Sequence, residues 1–190
     1  MESDNEFECV AVLHGHTQDV KATHWHPTKE ILFSSSYDDT IKIWNDEEDD
    51  WYCSHTLTGH TSTVWDFAFN KEGDKLVSCS DDKTIILWDI KQLNETPKQI
   101  WTLKDVHKRT IYSVDWSTNN VIATGAADDT IRIILPDNYT ETNPTSCVVV
   151  ELTKAHDTDI NCVSWNPKTP NILASCSDDG LIKIWEFVQN

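Results

Sequence analysis

A short segment that returns four times does most to limit what this chain can fold into. Its first copy is Ser34-Ser35-Ser36-Tyr37-Asp38-Asp39-Thr40-Ile41-Lys42-Ile43-Trp44. Small and hydroxyl residues lead in, an Asp-Asp pair turns the chain, and an alternating run ends on tryptophan, the pattern of two strands around a tight turn. The later copies are Ser78-Cys79-Ser80-Asp81-Asp82-Lys83-Thr84-Ile85-Ile86-Leu87-Trp88, Thr124-Gly125-Ala126-Ala127-Asp128-Asp129-Thr130-Ile131-Arg132-Ile133-Ile134 and Ser175-Cys176-Ser177-Asp178-Asp179-Gly180-Leu181-Ile182-Lys183-Ile184-Trp185. The turn aspartates Asp38, Asp82, Asp128 and Asp179 are 44, 46 and 51 residues apart.

That period belongs to radial arrays of small sheets, so an all-β propeller is expected. A second marker keeps phase with the first. His16, His60, His107 and His156 lie 21 to 23 residues before their turn aspartates. Ser34, Ser78, Thr124 and Ser175 stand four residues before them, and Trp44, Trp88 and Trp185 six after. With these landmarks the chain resembles the WD-repeat family over nearly its whole length. The resemblance implies a buried tetrad of His, Ser/Thr, Asp and Trp in each blade. The chemistry is sound on its own terms: a carboxylate accepts from an imidazole N–H, while a hydroxyl and an indole N–H brace the ring. The third repeat has Ile134 in place of tryptophan, so its network is expected to be incomplete. The same His, Asp and Ser sets admit a hydrolase reading, but four copies in phase favour architecture.

Basic residues number 15 and acidic residues 32, a formal charge of −17. Such a chain is repelled by phosphate backbones and anionic membranes, which argues against nucleic-acid and membrane partners. No apolar run approaches the roughly 20 residues that span a bilayer. The acidic start, Met1-Glu2-Ser3-Asp4-Asn5-Glu6, is unlike a signal or transit peptide, leaving cytoplasm or nucleus as the expected location. Cys9, Cys53, Cys79, Cys147, Cys162 and Cys176 form no C-x-x-C pair, and Cys79 and Cys176 share one repeat position, which suits small core residues. His14, His16, His24 and His26 alternate and raise a metal reading. Against it, His16 is already claimed by its repeat, and no cofactor or metal is expected. The five glycines and the absence of nucleophile-elbow, phosphate-loop or zinc motifs point away from an enzyme.

A single domain over 1–190 is expected, with repeats at about 14–57, 58–103, 105–152 and 154–188. Repeats one to three read as four strands each. The fourth stops after its third strand, at Glu186 to Val188, and residues 6–13 read as a leading outer strand left over. The acidic run Asn45-Asp46-Glu47-Glu48-Asp49-Asp50 is either a solvated turn or a docking patch for a basic partner. Phase assigns the residues on the rim that carries the His and Asp turns. They are Asp19, Lys21 and Tyr37; Thr63, Trp65 and Asp81; Thr110, Tyr112 and Ala127, with Arg109 beside them; and Asp159, Asn161 and Asp178. Trp65, Tyr37 and Tyr112, near Lys21 and Arg109, have the makings of a binding hot spot, with blade-to-blade packing as their other reading.

Between the landmarks the chain is similar to a narrower family, the WD-repeat subunits of the cytosolic iron–sulfur protein assembly machinery. The stretches that carry this are His16-Thr17-Gln18-Asp19-Val20-Lys21, Trp25-His26-Pro27, Ser62-Thr63-Val64-Trp65, Arg109-Thr110-Ile111-Tyr112 and Asn161-Cys162-Val163-Ser164-Trp165-Asn166-Pro167. The resemblance implies a seven-bladed type of which this chain matches four blades, hence an open, incomplete arc. It also implies a non-enzymatic adaptor that helps deliver iron–sulfur clusters to cytosolic and nuclear apoproteins. Its implied partners are a MIP-family subunit, a large HEAT-repeat subunit, an iron-only-hydrogenase-like carrier and the client proteins. A ubiquitin-ligase substrate receptor or a histone-binding propeller is the alternative.

Overall fold

The computed structural model describes residues 8–48, 50–138, 143 and 147–188. Glu6 and Phe7, Asp49 and most of the Pro136 to Ser146 loop lie outside them. Blade one comprises β1 (Val20–Trp25), β2 (Ile31–Ser36), β3 (Thr40–Glu47) and β4 (Asp50–Thr58). Blade two comprises β5 (Val64–Phe69), β6 (Lys75–Ser80), β7 (Ile85–Asp89) and β8 (Lys98–Leu103). Blade three has β9 (Ile111–Trp116), β10 (Ile122–Ala126), β11 (Ile131–Ile134) and β12 (Val148–Leu152). Among the described residues blade four has β13 (Ile160–Trp165), β14 (Ile172–Ser177) and β15 (Ile182–Glu186). Strands pair antiparallel in chain order within each blade. The first strands β1, β5, β9 and β13 meet one another in succession. The four sheets stay separate and do not close, so this is an all-β, incomplete propeller arc.

Unbroken apolar runs follow from having a blade on either side. In β7, Ile86 and Trp88 join Phe33, Ile43 and Phe67 in the core between blades one and two. Their neighbours Ile85 and Leu87 point the other way, into a core with Trp101, Ile111 and Ile134. A sheet buried on both faces reads as a continuous hydrophobic strand rather than an alternating one. The third core packs Ile131 and Ile133 against Val163, Trp165 and Leu173. At the free end of the arc the alternation returns: Ile182 and Ile184 of β15 face outward and are exposed.

The expected leading strand is corrected in its described part. Residues 8–13 form no strand, and Val10 is 92% exposed. A strand needs a backbone partner, and this stretch stands at blade one while the unfilled sheet is blade four.

Gly125 sets the approach of blades three and four. A Cβ there would lie 2.7 Å from Cγ2 of Ile160 and 3.0 Å from Cγ1 of Val163. Gly125→Ala is therefore expected to cost about 1–3 kcal/mol through overpacking. A loss under about 0.5 kcal/mol in urea melts, the level of an ordinary surface change, would contradict that close contact.

Candidate functional site

The His, Ser and Asp sets come together in every blade. In blade one, Nδ1–H of His16 donates to Asp38 at 2.8 Å, and Ser34 donates to Nε2 at 2.7 Å. The Trp44 indole then donates to the Ser34 oxygen at 2.8 Å. Blade two repeats this with His60–Asp82 at 3.0 Å, Ser78–His60 at 2.8 Å and Trp88–Ser78 at 2.9 Å. In blade four the distances are 2.8 Å for His156–Asp179, 2.7 Å for Ser175–His156 and 2.8 Å for Trp185–Ser175. The residue after each histidine also donates its backbone N–H to the same carboxylate. That network ties the loop entering a blade to the turn between its second and third strands.

Ser–His–Asp connectivity of this kind resembles a hydrolytic triad. Two features point away from that chemistry. The hydroxyl oxygen that would attack already accepts an indole N–H, and Ser34, Ser78 and Ser175 are buried. A nucleophile must have a free lone pair facing substrate.

Blade three departs from the pattern, though not simply by losing a bond. Ile134 fills the tryptophan position as a fully buried core residue. His107 bonds Asp128 at 2.9 Å and Thr124 at 2.8 Å as expected. Arg132 then enters the network, with Nη1 2.6 Å from Nδ1 of His107 and 3.3 Å from Asp128. Its Nη2 donates to Glu151 at 2.7 Å. Burial, helped by the Arg132 charge and opposed by Asp128, lowers the His107 pKa. The sequence expectation of an incomplete network is thus half right: the indole is absent, and a buried guanidinium takes part instead.

The turn repeats to the level of backbone angles. Asp39, Lys83, Asp129 and Gly180, each following its turn aspartate, have φ of 66°, 66°, 60° and 79°. Three of these are side-chain-bearing residues held in the left-handed region, which costs roughly 1–2 kcal/mol each. The turn carboxylate offsets this by accepting the N–H two residues on, as Asp38 does from Thr40 and Asp82 from Thr84.

The rim residues assigned from phase form one structural unit per blade. Each first strand is bulged opposite the second, and the extra residues are Lys21, Trp65, Tyr112 and Asn161. A bulge re-aims a side chain out of the pleat. Beside each bulge the other two rim positions join by a backbone bond: Tyr37 to Asp19, Asp81 to Thr63, Ala127 to Thr110 and Asp178 to Asp159. Three aromatic rings then run across three blades. Tyr37 and Trp65 meet edge to face at 6.3 Å, Trp65 and Tyr112 at 5.1 Å. The Lys21 ammonium sits 4.7 Å from the Tyr37 ring and 5.3 Å from Trp65, a doubled cation–π contact. Arg109 is held by the Ala127 carbonyl at 2.6 Å and by Asp159 at 3.2 Å. Thr110 donates to Asp81, and Asn161 to Asp178 at 2.5 Å. Burial and the Asp159 charge raise the Tyr112 pKa, so its hydroxyl stays a neutral donor.

The alternating histidines do not converge. His16 serves its tetrad, His24 faces Asp66 at 3.4 Å, and His26 donates to the Gly73 carbonyl at 2.7 Å. Among the described residues no three His, Cys, Asp or Glu side chains gather as a metal site. The described cysteines form no disulfide, and burial pushes the Cys79, Cys147 and Cys162 thiols up, away from reactive thiolate. Sequence reasoning missed a second set, which links the first strands of adjacent blades. Asp66 accepts from Ser113 at 3.0 Å and the Val114 N–H at 3.2 Å, and Asp115 accepts from the Trp165 N–H at 2.6 Å. A carboxylate inside a strand that is otherwise apolar was the available signal.

Against this geometry, the family model described as WD domain, G-beta repeat matches residues 7–45, 51–89, 97–134 and 146–186. The chain belongs to the WD-repeat family. Among curated relatives, it is 52% identical over 95 residues to a probable cytosolic iron-sulfur protein assembly protein CIAO1 homolog of Dictyostelium discoideum. It is 46% identical over 92 residues to the probable cytosolic iron-sulfur protein assembly protein CIAO1 of Homo sapiens. It is also 46% identical over 88 residues to protein CIA1 of Arabidopsis thaliana. These matches cover 50%, 47% and 45% of this chain and 28%, 27% and 25% of the relatives. The matched stretch therefore spans only about a quarter of those proteins.

Proposed function

We propose that this WD-repeat chain is a non-enzymatic adaptor of cytosolic iron–sulfur protein assembly, helping to bring clusters to cytosolic and nuclear apoproteins. The observation that carries the adaptor reading is the contrast between interior and rim. Inside, the His, Ser and Asp sets are saturated and buried. On the rim, four bulges place Lys21, Trp65, Tyr112 and Asn161 beside paired charges, Asn161 exposed and the other three half-buried. Ordered aromatics next to a fixed cation suit protein recognition, because little entropy is left to lose on binding. The assembly pathway rests on the relatives' names. On this reading the partners are a MIP-family subunit, a HEAT-repeat subunit, an iron-only-hydrogenase-like carrier and client apoproteins, met in cytoplasm and nucleus.

Affinity purification from the native organism tests it. The tagged chain should recover the MIP-family and HEAT-repeat partners, and Trp65→Ala should cut that recovery about tenfold or more, as a hot-spot loss of some 2 kcal/mol does. Recovery of cullin adaptors or histones without those partners would sink the assembly reading and favour the ubiquitin-ligase or histone alternative.

A further inference from the structure

The loop joining β7 to β8 in blade two has no part in the tetrads or the aromatic rim, and it carries an exposed Thr96 directly ahead of Pro97. The loop is pinned on its approach to that pair. Ile90 is fully buried in the core between blades one and two, and Leu93 packs on the same core. The Lys91 backbone N–H donates to the Asp89 carboxylate at 3.0 Å, and the Glu95 N–H donates to the Gln92 carbonyl at 3.1 Å. Beyond these anchors the Thr96 hydroxyl faces water, with no partner among the described residues.

The chain has two Thr-Pro steps, Thr96-Pro97 and Thr169-Pro170, and no Ser-Pro. The second is folded into a turn tied to blade three. The Thr169 N–H donates to the Asn166 side chain at 3.0 Å, and the Thr169 carbonyl accepts from the Ile172 N–H at 2.9 Å. The Pro170 carbonyl in turn accepts the Ser117 hydroxyl at 2.7 Å. Thr96 and Pro97 lie outside any turn, and a residue ahead of proline is biased toward extended backbone. An extended acceptor is what a protein kinase can thread through its active site. Proline after the acceptor has no N–H to leave unpaired, so it suits a kinase pocket that offers no acceptor there.

We propose that Thr96 is a phosphorylation site for a proline-directed serine/threonine kinase. The Thr96 oxygen attacks the γ-phosphorus of ATP, the hydroxyl proton passes to the kinase's catalytic aspartate, and ADP leaves with the electrons of the broken bond. The loop is built to hold the product. Thr96, Lys91 and Lys98 line one open cavity of about 160 Å³. Phosphothreonine brings a charge of about −1.5 to −2 and three acceptor oxygens beside those two ammonium groups, so charge-assisted hydrogen bonds draw the loop closed. Asp89 and Glu95 line the same cavity and repel the phosphate, which leaves the two lysines to decide the balance. The β7–β8 loop and the Asp82 turn lie at opposite ends of β7. The mark therefore sits on the rim away from Trp65, and it stands independently of the adaptor reading.

The purified 190-residue chain, incubated with a proline-directed kinase and magnesium ATP, should take up phosphate at Thr96 and not at Thr169, as mapped by tandem mass spectrometry. Pro97→Ala keeps the hydroxyl and should slow labelling about tenfold or more, the effect of emptying one specificity pocket. Thr96→Ala should lose the label and keep its far-UV spectrum, since the side chain is exposed. Phosphorus NMR reads the lysines: the second pKa of the phosphate should rise in the Lys91→Met, Lys98→Met variant, because neighbouring cations favour the dianion. The chain isolated from its native organism under phosphatase inhibition should carry the same phosphate. Label on Thr169 in place of Thr96, Thr96 labelling that Pro97→Ala leaves unchanged, a phosphate pKa indifferent to both lysines, or a native chain without phosphate at Thr96 would overturn the inference.

Discussion

Asp128→Ala is expected to destabilise the chain by about 3–5 kcal/mol, against about 1–3 for Asp82→Ala. The sequence argues the reverse order, because blade two has its tryptophan and blade three has Ile134. The structure changes the ranking through Arg132, which is only 5% exposed. Removing Asp82 orphans neutral donors: the His60 N–H, the Thr61 backbone N–H and the Thr84 hydroxyl. Removing Asp128 takes one partner from His107, orphans the Lys108 N–H, and also takes away a counter-charge from a buried guanidinium. Glu151 remains, but its side chain is 48% exposed and well screened. An unpaired buried charge costs more than unpaired neutral groups. Urea melts of the two variants decide between the rankings. The double variant Asp128→Ala, Arg132→Met should recover part of the loss, since removing both charges costs less than removing one. Equal losses at Asp82 and Asp128 would show that Glu151 alone suffices for Arg132.

How much could be read ahead depended on whether a feature repeats. The turn, the tetrads and the blade count were legible because a His, Ser or Asp that recurs four times in phase serves the repeat itself. The rim trios were legible for the same reason, yet their cause was not. Nothing in Lys21, Trp65, Tyr112 or Asn161 as residues announces a bulge, since the extra residue exists only relative to the paired strand. Residues 8–13 alternate as a strand should, and the structure leaves them unpaired because a strand's partner is a tertiary fact. Arg132 escaped notice because its position four after the turn aspartate holds Lys42, Ile86 and Lys183 elsewhere, and only one copy uses it in the tetrad. Features present once, or defined by pairing, lie beyond what periodicity reports.

Most of the fold's stability should disappear as pH falls from about 4 to about 2, after a gentler decline that starts near pH 6.5. Burial pushes the turn carboxyls up, but hydrogen bonds from hydroxyl, imidazole and backbone donors outweigh it. Asp38, Asp128 and Asp179 are held at about 2, and Asp82 is driven lower still. In the unfolded chain these groups take up protons near the ordinary carboxylate value of about 3.9. The unfolded state therefore binds more protons in that window, and stability contributed above it is lost on acidification. The upper decline comes from imidazoles. Burial lowers the pKa of His26 and His107, so the unfolded chain protonates first below about 6.5. Asp115 opposes the trend, because burial raises its pKa and its protonation relieves a buried charge. One such group stands against four depressed turn carboxylates, so the steep limb survives. Urea midpoints measured from pH 7 to pH 2 should show both limbs, with the steeper one below about pH 4. A midpoint that stays level down to about pH 3 would mean that the turn aspartates gain no more from their donors in the fold than in the unfolded chain.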